Sequence, residues 1–328
     1  MPRADLTLRP ELQHLLGILN ISASDLLFTD DPDITSLQPS TTKFMLVDHN
    51  RPVPSLRGFP VSGIIDHHED EGGDPSASPR IIEKSGSCTS LVTNYFRSSF
   101  PSKSAPGGLV SVELGKLGLA AILVDTICMK DKNKVTPHDS AATSFLEQKV
   151  VEEEPGWDRT KFFHEMWDAK HDVDDLPLRD HLRKDWKEWA DPHRGGGERK
   201  VGIAAVLRDF TWFSQRDKDA FLTAVKNWAI ERDLDVVSVM TTAGEGSEFK
   251  RELMVWAVKE RAKDSIKAFE DNAAKDLQLS QWGSGELDSE DGERKVWNQR
   301  NLAASRKEVA PLLRTSVGGR DSEAQSKF

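Results

Sequence analysis

Two short apolar runs near the N-terminus dominate the hydrophobic pattern. Phe44–Val47 stops at an Asp-His-Asn sequence, and residues 63–65 stop at Asp-His-His-Glu. A short, continuous apolar run is typical of a strand that is buried on both faces of a parallel sheet. Ligands collect beyond the carboxyl ends of such strands. The pattern therefore predicts two neighbouring strands with one metal or phosphate site at their ends.

The rest of the first half alternates strands and helices. Strands are predicted at 25–28 and 81–83, and helices near 12–19, 86–100, 109–124 and 140–153. The helix 109–124 is mostly apolar and ends at Asp125, although helix C-termini favour cations. A specific partner such as a metal ion would explain this acid. Asp139 is predicted to cap the helix 140–153.

The second half begins after a Glu-Glu-Glu-Pro-Gly sequence at 152–156, which predicts a domain boundary after residue 156 or an ordinary loop. Helices are predicted at 160–170, 178–189, 218–231 and 301–313. Strands are predicted at 200–207 and 236–240, and periodicity leaves 249–260 as helix or strand. Residues 283–293 read as an acidic loop, and 317–328 as a disordered tail.

Composition describes a soluble globular protein of 328 residues, 37% hydrophobic and 30% charged. The formal net charge of −10 argues against nucleic-acid and membrane binding, which need a basic face. An anionic substrate remains open, because local cations can outweigh the global field. Only Cys88 and Cys128 could form a disulfide, and their apolar surroundings favour reduced thiols. With no secretion signal, the expected location is the cytoplasm.

The strand-end residues offer ligands for phosphate chemistry. Carboxylates suit Mg²⁺, and added imidazoles shift the preference towards Mn²⁺ or Co²⁺. The candidates are Asp48, Asp66, His67, His68 and Asp125. The alternative is that these residues only cap loops. Lys187 and the pair Arg306-Lys307 could bind a polyanion, or form solvated helix faces.

Taken in order, six motifs resemble the DHH phosphoesterase superfamily, in the group with the second type of DHH-associated domain. They lie at 47–50, 65–68, 86–92, 121–126, 183–188 and 301–307. The group includes cytosolic exopolyphosphatases, family II inorganic pyrophosphatases and prune-like proteins. The Gly-Ser-Cys version of the third motif looks most like fungal-type exopolyphosphatases.

The resemblance implies an α/β fold in two domains with the active cleft between them. A parallel-sheet DHH domain would span 1–156, and a smaller α/β domain with a mixed sheet would span 157–316. Asp48 and Asp125 look like metal-bridging carboxylates and His67 like a metal ligand. His68 looks like a phosphate contact or acid–base group, and Asp66 like the residue that orients the histidines. The implied substrate clamp of the second domain is Lys187, Arg306 and Lys307.

One family motif lacks a counterpart. The family's first strand ends in a motif with two further Asp residues, whereas this sequence opens at Met-Pro-Arg-Ala-Asp. The resemblance therefore implies Mn²⁺, Mg²⁺ or Co²⁺ as cofactor, with two ions in the family and one expected here. This fits either a truncated gene product or a member that no longer catalyses.

The leading hypothesis is metal-dependent release of terminal phosphate from polyphosphate. The alternatives are a non-catalytic binding protein, an inorganic pyrophosphatase, or a nucleotide phosphodiesterase. The partner would be polyphosphate or pyrophosphate, with no nucleic acid and no membrane. The sequence leaves the oligomeric state open.

Overall fold

The residues that the structure describes form two separate sheets, one of three strands and one of six. The computed structural model describes residues 1–53, 56–101, 111–193, 195–244 and 246–318. These form two compact units that divide between Asp172 and Val173. Among the described residues, no helix has the length and apolar character needed to cross a membrane. The predicted tail lies outside the described residues from 319 onward.

Unit 1 contains a parallel sheet with the strand order β1-β2-β3. The strands are β1 (Phe44–Val47), β2 (Val61–Asp66) and β3 (Arg80–Ile82). The predicted parallel pair is confirmed, with Val47 opposite Ile65. The prediction that β1 is buried on both faces is wrong, because Met45 and Val47 are 37% and 43% exposed. β1 is an edge strand with one covered face, whereas Ile65 in central β2 is fully buried.

The described residues of unit 1 also form six α-helices. They are α1 (Pro10–Ile18), α2 (Pro32–Thr35), α3 (Cys88–Tyr95), α4 (Ser111–Asp125), α5 (Pro137–Glu153) and α6 (Arg159–His171). Helix α4 packs closely on α5, because a Cβ at Gly118 would lie 2.7 Å from Leu146. Leu123, Leu146 and Met166 lie in one buried cluster. Helix α6 therefore belongs to unit 1, and the units divide after α6 rather than at the predicted position after residue 156.

Local hydrogen bonds change three predictions in unit 1. The predicted strand 25–28 is wrong, because Ser22 and Asp25 form a capping box around a 3₁₀ turn, Ala23–Asp25. Helix α3 ends at Tyr95 and not near residue 100. Helix α5 begins earlier than predicted, with Thr136 as N-cap and Asp139 in its first turn. The predicted start of helix 109–124 lies outside the described residues.

Unit 2 contains a mixed sheet with the order β4-β5-β6-β7-β9-β8. The strands are β4 (Trp186–Pro192), β5 (Glu198–Val206), β6 (Val236–Thr241), β7 (Arg251–Ala257), β8 (Leu279–Gln281) and β9 (Arg294–Gln299). Strands β5 and β6 pair in parallel, and the other neighbours pair antiparallel. The ambiguous segment 249–260 is thus a strand, and the predicted mixed sheet is confirmed.

Helices cover both faces of the six-stranded sheet. They are α7 (Leu178–Lys184), α8 (Phe210–Glu231), α9 (Asp264–Leu277) and α10 (Arg306–Ser316). Phe269 of α9 and Leu313 of α10 belong to one core cluster. Leu182 of α7 and Phe213 of α8 belong to a second cluster. The sheet therefore has a hydrophobic core on each face, one under α9 and α10 and the other under α7 and α8.

Two helix predictions in unit 2 need correction, and a third helix is longer than predicted. The predicted helix 178–189 ends at Lys184, because the next residues pair with β5, where Trp186 lies opposite Ala204. Lys187 consequently lies on a strand. The predicted helix 218–231 is confirmed as the second part of α8, because Asp217 is non-helical and its Oδ1 accepts from Ala220 N at 2.9 Å; the part of α8 before it, from Phe210, was not predicted. Helix α10 begins only at Arg306, because Ser305 caps it.

Candidate metal centre

The parallel pairing of β1 and β2 brings the two polar strand ends together. The backbone N–H of Asp48 donates to the carbonyl of Ile65 at 3.1 Å, which continues the ladder one residue beyond β1. Asp48 then adopts a left-handed conformation with φ +66°, so the chain turns immediately after the strand. Asp48 therefore lies beside the end of β2, where Asp66, His67 and His68 follow one another.

Three potential ligands form one group at this edge of the sheet. Ligand atoms of Asp48, His67 and His68 all lie within 4.8 Å of one another. His67 Nε2 lies 3.2 Å from Asp48 Oδ1. The side chains of Asp48 and His68 are more than half exposed, so a solute can reach them. Carboxylate oxygen combined with imidazole nitrogen suits Mn²⁺ and related divalent ions.

Ser85 fixes the orientation of the His67 ring. Its backbone carbonyl lies 2.9 Å from His67 Nδ1. A carbonyl only accepts, so Nδ1 carries a proton; Nε2 donates to Asp48 while the ring is protonated and exposes its lone pair only after losing that proton. The hydrogen bond to Asp48 raises the pKa of His67, against the effect of burial. When His67 loses the proton on Nε2, the bond to Ser85 favours the Nδ1–H tautomer, which leaves Nε2 free to bind a metal ion.

Asp66 serves the second histidine. Its Oδ1 accepts from His68 Nδ1 at 2.8 Å and from the backbone N–H of His67 at 2.8 Å. Its Oδ2 accepts from Asn50 Nδ2 at 2.6 Å. Burial alone would raise the pKa of Asp66, but the hydrogen bonds from His68 and Asn50 outweigh it and the pKa is lowered. The ring of His68 is thus oriented by its hydrogen bond to the Asp66 carboxylate, and the ring of His67 by its hydrogen bond to the Ser85 carbonyl.

Asp125 ends α4, as the sequence predicted, and lies close to this group without being one of its three members. Its Oδ2 accepts from the Ser87 hydroxyl at 2.7 Å. Burial raises the pKa of Asp125, and the charges of Asp48 and His67 also act on it. A buried carboxyl with a raised pKa gains from a nearby cation, which would stabilise its ionised form.

Sequence reasoning missed the groups that support these ligands. Asn50 belongs to the motif at 47–50 and has no predicted role, yet it is buried and also donates to the carbonyl of Glu69 at 2.9 Å. Ser85 acts through its backbone, and Ser87 through one hydroxyl. The sequence marked these residues only by position: Asn50 lies in the motif 47–50, Ser87 lies in the motif 86–92, and Ser85 lies directly before that second motif.

Within unit 2, the two basic motifs meet. The Arg306 guanidinium donates to the backbone carbonyl of Asp185 at 3.0 Å and to its carboxylate at 2.7 Å. This contact places the first residue of α10 against the segment that leads into β4 and Lys187. Lys187 and Lys307 are exposed. Lys187 therefore lies on a segment of unit 2 that neighbours the pair Arg306-Lys307, although the two motifs are far apart in sequence.

Known proteins resemble the chain over nearly its full length. The family model described as the DHHA2 domain matches residues 164–316. A Schizosaccharomyces pombe protein named "Putative exopolyphosphatase" is 34% identical, over 97% of this chain and 81% of its own length. The chain belongs to the exopolyphosphatases of the DHH superfamily. Human "Exopolyphosphatase PRUNE1" is 27% identical over 96% of this chain, which spans 66% of that protein.

Pyrophosphatases share the fold of this DHH-superfamily member. A manganese-dependent inorganic pyrophosphatase of Methanothrix thermoacetophila is 29% identical over 48% of each chain. The solved structure of a "putative family II inorganic pyrophosphatase" from Methanococcus jannaschii is similar to this chain with a TM-score of 0.58 and 19% sequence identity. It covers 95% of this chain and 88% of its own. This likeness shows the two-domain α/β fold that the sequence predicted.

Proposed function

We propose that this protein hydrolyses phosphoanhydride bonds and releases the terminal phosphate of polyphosphate with the help of a divalent metal ion. The observation that carries the proposal is the group of Asp48, His67 and His68 at the ends of two parallel strands. It occurs in a chain that is 34% identical to a protein named as an exopolyphosphatase. Shared family and matching donor chemistry support the same reaction.

The residues present fit a divalent ion. Asp48 offers an exposed carboxylate, His67 offers Nε2 once it has lost its proton, and Asp125 offers a buried carboxyl whose pKa is raised by burial. We assign these three as the ligands of Mn²⁺, or of Mg²⁺ or Co²⁺, with one ion expected. A bound ion would polarise a phosphate oxygen and make water more acidic.

His68 is placed to handle a proton. Its Nδ1 donates to the ionised carboxylate of Asp66, so Nε2 is the atom that can accept or release a proton. The Asp66 charge stabilises the imidazolium that forms when Nε2 accepts. We therefore assign to His68 the contact with the reacting phosphate, and to Asp66 the task of orienting its ring.

The substrate is a polyanion and the chain carries a net charge of −10, so local cations must bind it. We assign this role to Lys187, Arg306 and Lys307. Arg306 can address a phosphate through the edge of its guanidinium that Asp185 does not use, and lysines act as point charges. Pyrophosphate is the second candidate substrate, favoured by the likeness to a manganese-dependent pyrophosphatase.

The test is phosphate release from polyphosphate and from pyrophosphate in Mn²⁺. The wild type is compared with His68→Ala and Asp125→Ala, and with His164→Ala, a matched exposed histidine on α6. We expect the first two variants to lose activity and the control to keep it. Equal background release by all four proteins would refute the catalytic proposal. Release from pyrophosphate alone would assign the second substrate.

A further inference from the structure

A single carboxylate behind the metal centre receives six hydrogen bonds. Asp139, in the first turn of α5, is completely buried. Its Oδ1 accepts from Ser85 Oγ at 3.0 Å, Ser87 N at 3.1 Å and Ser90 Oγ at 2.7 Å. Its Oδ2 accepts from Gly86 N at 2.9 Å and from Thr136 N and Oγ1 at 2.8 and 2.7 Å.

Helix capping accounts for only part of this arrangement. Thr136 and Asp139 form the capping box of α5, which uses the bond from Thr136 N. Four of the six bonds come instead from residues 85–90, which lie far away in sequence. Burial would raise the pKa of Asp139, but these bonds outweigh it and lower the pKa to about 2. The carboxylate is therefore a charged anchor for the 85–90 segment at neutral pH.

The segment that Asp139 holds contacts two of the assigned metal ligands. The carbonyl of Ser85 accepts from His67 Nδ1, and the hydroxyl of Ser87 donates to Asp125 Oδ2. The opposite side of residues 85–87 is fastened by three bonds to Asp139, from Ser85 Oγ, Gly86 N and Ser87 N. Asp139 is thus connected to each assigned ligand through a single residue, to His67 through Ser85 and to Asp125 through Ser87.

Close packing prevents this loop from shifting. A Cβ at Gly86 would lie 2.8 Å from Thr126 Cγ2 and 3.1 Å from Asp139 Oδ2. Thr126 directly follows Asp125 and is completely buried. The loop is therefore held between Asp139 on one side and the turn after Asp125 on the other, with room only for glycine.

The turn after Asp125 is itself strained. Three consecutive residues, Ile127, Cys128 and Met129, have φ values of +51°, +54° and +62°. Such conformations persist in non-glycine residues only where the surroundings hold them. Thr126 Oγ1 accepts from Met129 N at 3.1 Å and donates to the carbonyl of Ile122 at 2.6 Å. The position of Asp125 at the end of α4 is thus held from both sides.

We propose that Asp139 is a positioning residue of the metal centre: through residues 85–87 it sets the tautomer of His67 and the place of Asp125. The inference rests on the proposed function in that it takes His67 and Asp125 as metal ligands. A purely structural role would cost stability and leave metal affinity and the state of the His67 ring unchanged.

The decisive variant is Asp139→Asn, which keeps the shape of the side chain but offers one accepting atom where the loop needs two. Its matched control is Asp235→Asn in unit 2, also completely buried, which accepts from Lys200 N at 2.9 Å and from Arg261. Mn²⁺ binding to the full chain is measured by calorimetry. We expect Asp139→Asn to bind Mn²⁺ about tenfold more weakly, and Asp235→Asn to bind as the wild type does.

The second readout uses the metal-free protein. Nitrogen-15 NMR of the histidine rings reports which nitrogen of His67 is protonated, with the signal assigned by its loss in His67→Gln. The spectra are recorded at a pH where the imidazole is neutral, and there we expect the remaining proton on Nδ1 in the wild type and a mixture of tautomers in Asp139→Asn. Unchanged Mn²⁺ affinity together with an unchanged His67 tautomer would overturn the inference.

A second variant covers the case in which Asp139→Asn fails to fold. Gly86→Ala leaves all six hydrogen-bonding groups in place and pushes the loop away from Thr126 and Asp139. It should weaken Mn²⁺ binding and disturb the His67 tautomer in the same direction, and wild-type values for both would refute the inference. If the wild type releases no phosphate, the proposed function fails while the metal-free NMR result still decides the role of Asp139.

Discussion

At the scale of single residues, the assigned ligands depend on neighbours that do not themselves face the substrate. Asn50 is 1% exposed and connects three segments. Its amide nitrogen donates to Asp66 and to the carbonyl of Glu69, and its oxygen accepts from the backbone N–H of Glu71 at 2.9 Å. A buried polar group with all these partners costs free energy when any of them is removed.

Replacing Asn50 should therefore weaken both fold and activity. Asn50→Ala leaves Asp66 Oδ2 without its side-chain partner and frees the residues after His68. We expect the free energy of unfolding to fall by about 1–3 kcal/mol, and phosphate release to fall with it. Urea unfolding and a phosphate assay measure the two effects. Asn298→Ala, which removes an exposed bond to the carbonyl of Gln281, is the control and should change neither.

The His67–Asp48 pair predicts a pH dependence. Asp48 raises the pKa of His67, so in the metal-free protein the proton stays on Nε2 to a higher pH than the ordinary value of 6.5. A proton there excludes a metal ion, so Mn²⁺ affinity should fall as the pH drops through this raised pKa. Proton NMR titration of His67 measures the midpoint directly. Asp48→Asn should move it back towards 6.5, and an unmoved midpoint would contradict the pairing.

The residues that sequence could and could not predict differ in how they act. Asp48 and His67 stood out because an apolar strand ends just before each polar sequence, and parallel strands end at one edge of a sheet. Ser85 could not be identified, because any residue supplies a backbone carbonyl. The six bonds of Asp139 depend on how α5 meets the 85–90 segment, which neither segment encodes alone.

At the scale of elements, tertiary pairing overrode local propensity. The sequence 178–189 has a helical composition, yet the helix stops at Lys184 and β4 begins at Trp186. Trp186 lies over Gly202 of β5, where a Cβ would come within 2.1 Å of its ring. The missing side chain at position 202 makes room for the indole. Only the partner strand carries this information, so the pattern of 178–189 could not reveal it.

The junction of α10 and β4 gives the element-scale prediction. Arg306→Lys keeps the positive charge. A single ammonium group, unlike the guanidinium, cannot donate to the carbonyl and the carboxylate of Asp185 and also bind a phosphate. We expect KM for polyphosphate to rise about tenfold with kcat largely kept. Steady-state kinetics measure both. The control is Arg314→Lys, also on α10. It breaks a similar two-point contact, with Asp191 of β4, and should leave KM unchanged. Equal effects of the two variants would contradict a substrate role for Arg306.

At the scale of the whole molecule, the two units have separate sheets and separate cores, and buried titrating groups set their responses to acid. In unit 1, the lowered pKa of Asp139 gives stability that is complete above its ordinary pKa of 3.8 and is lost as the pH falls towards 2.

In unit 2, His181 is 3% exposed and contacts the rings of Trp212 and Phe213. Its buried Nε2 has no hydrogen-bond partner among the described residues.

Unit 2 should therefore weaken first on mild acidification. Burial, helped by the charge of Arg208, lowers the pKa of His181 to about 4, so the unfolded chain binds its proton at a higher pH than the folded one. Folding stability is then complete above pH 6.5 and declines towards pH 4, and about 2 kcal/mol should be lost between pH 7 and pH 5.

Urea unfolding followed by tryptophan fluorescence measures this loss of stability, because seven of the nine tryptophans lie in unit 2. His181→Phe removes the titrating ring and should abolish most of the loss, whereas His164→Phe at an exposed position should keep it. If both variants lose the same stability as the wild type, His181 is not the acid-sensitive group.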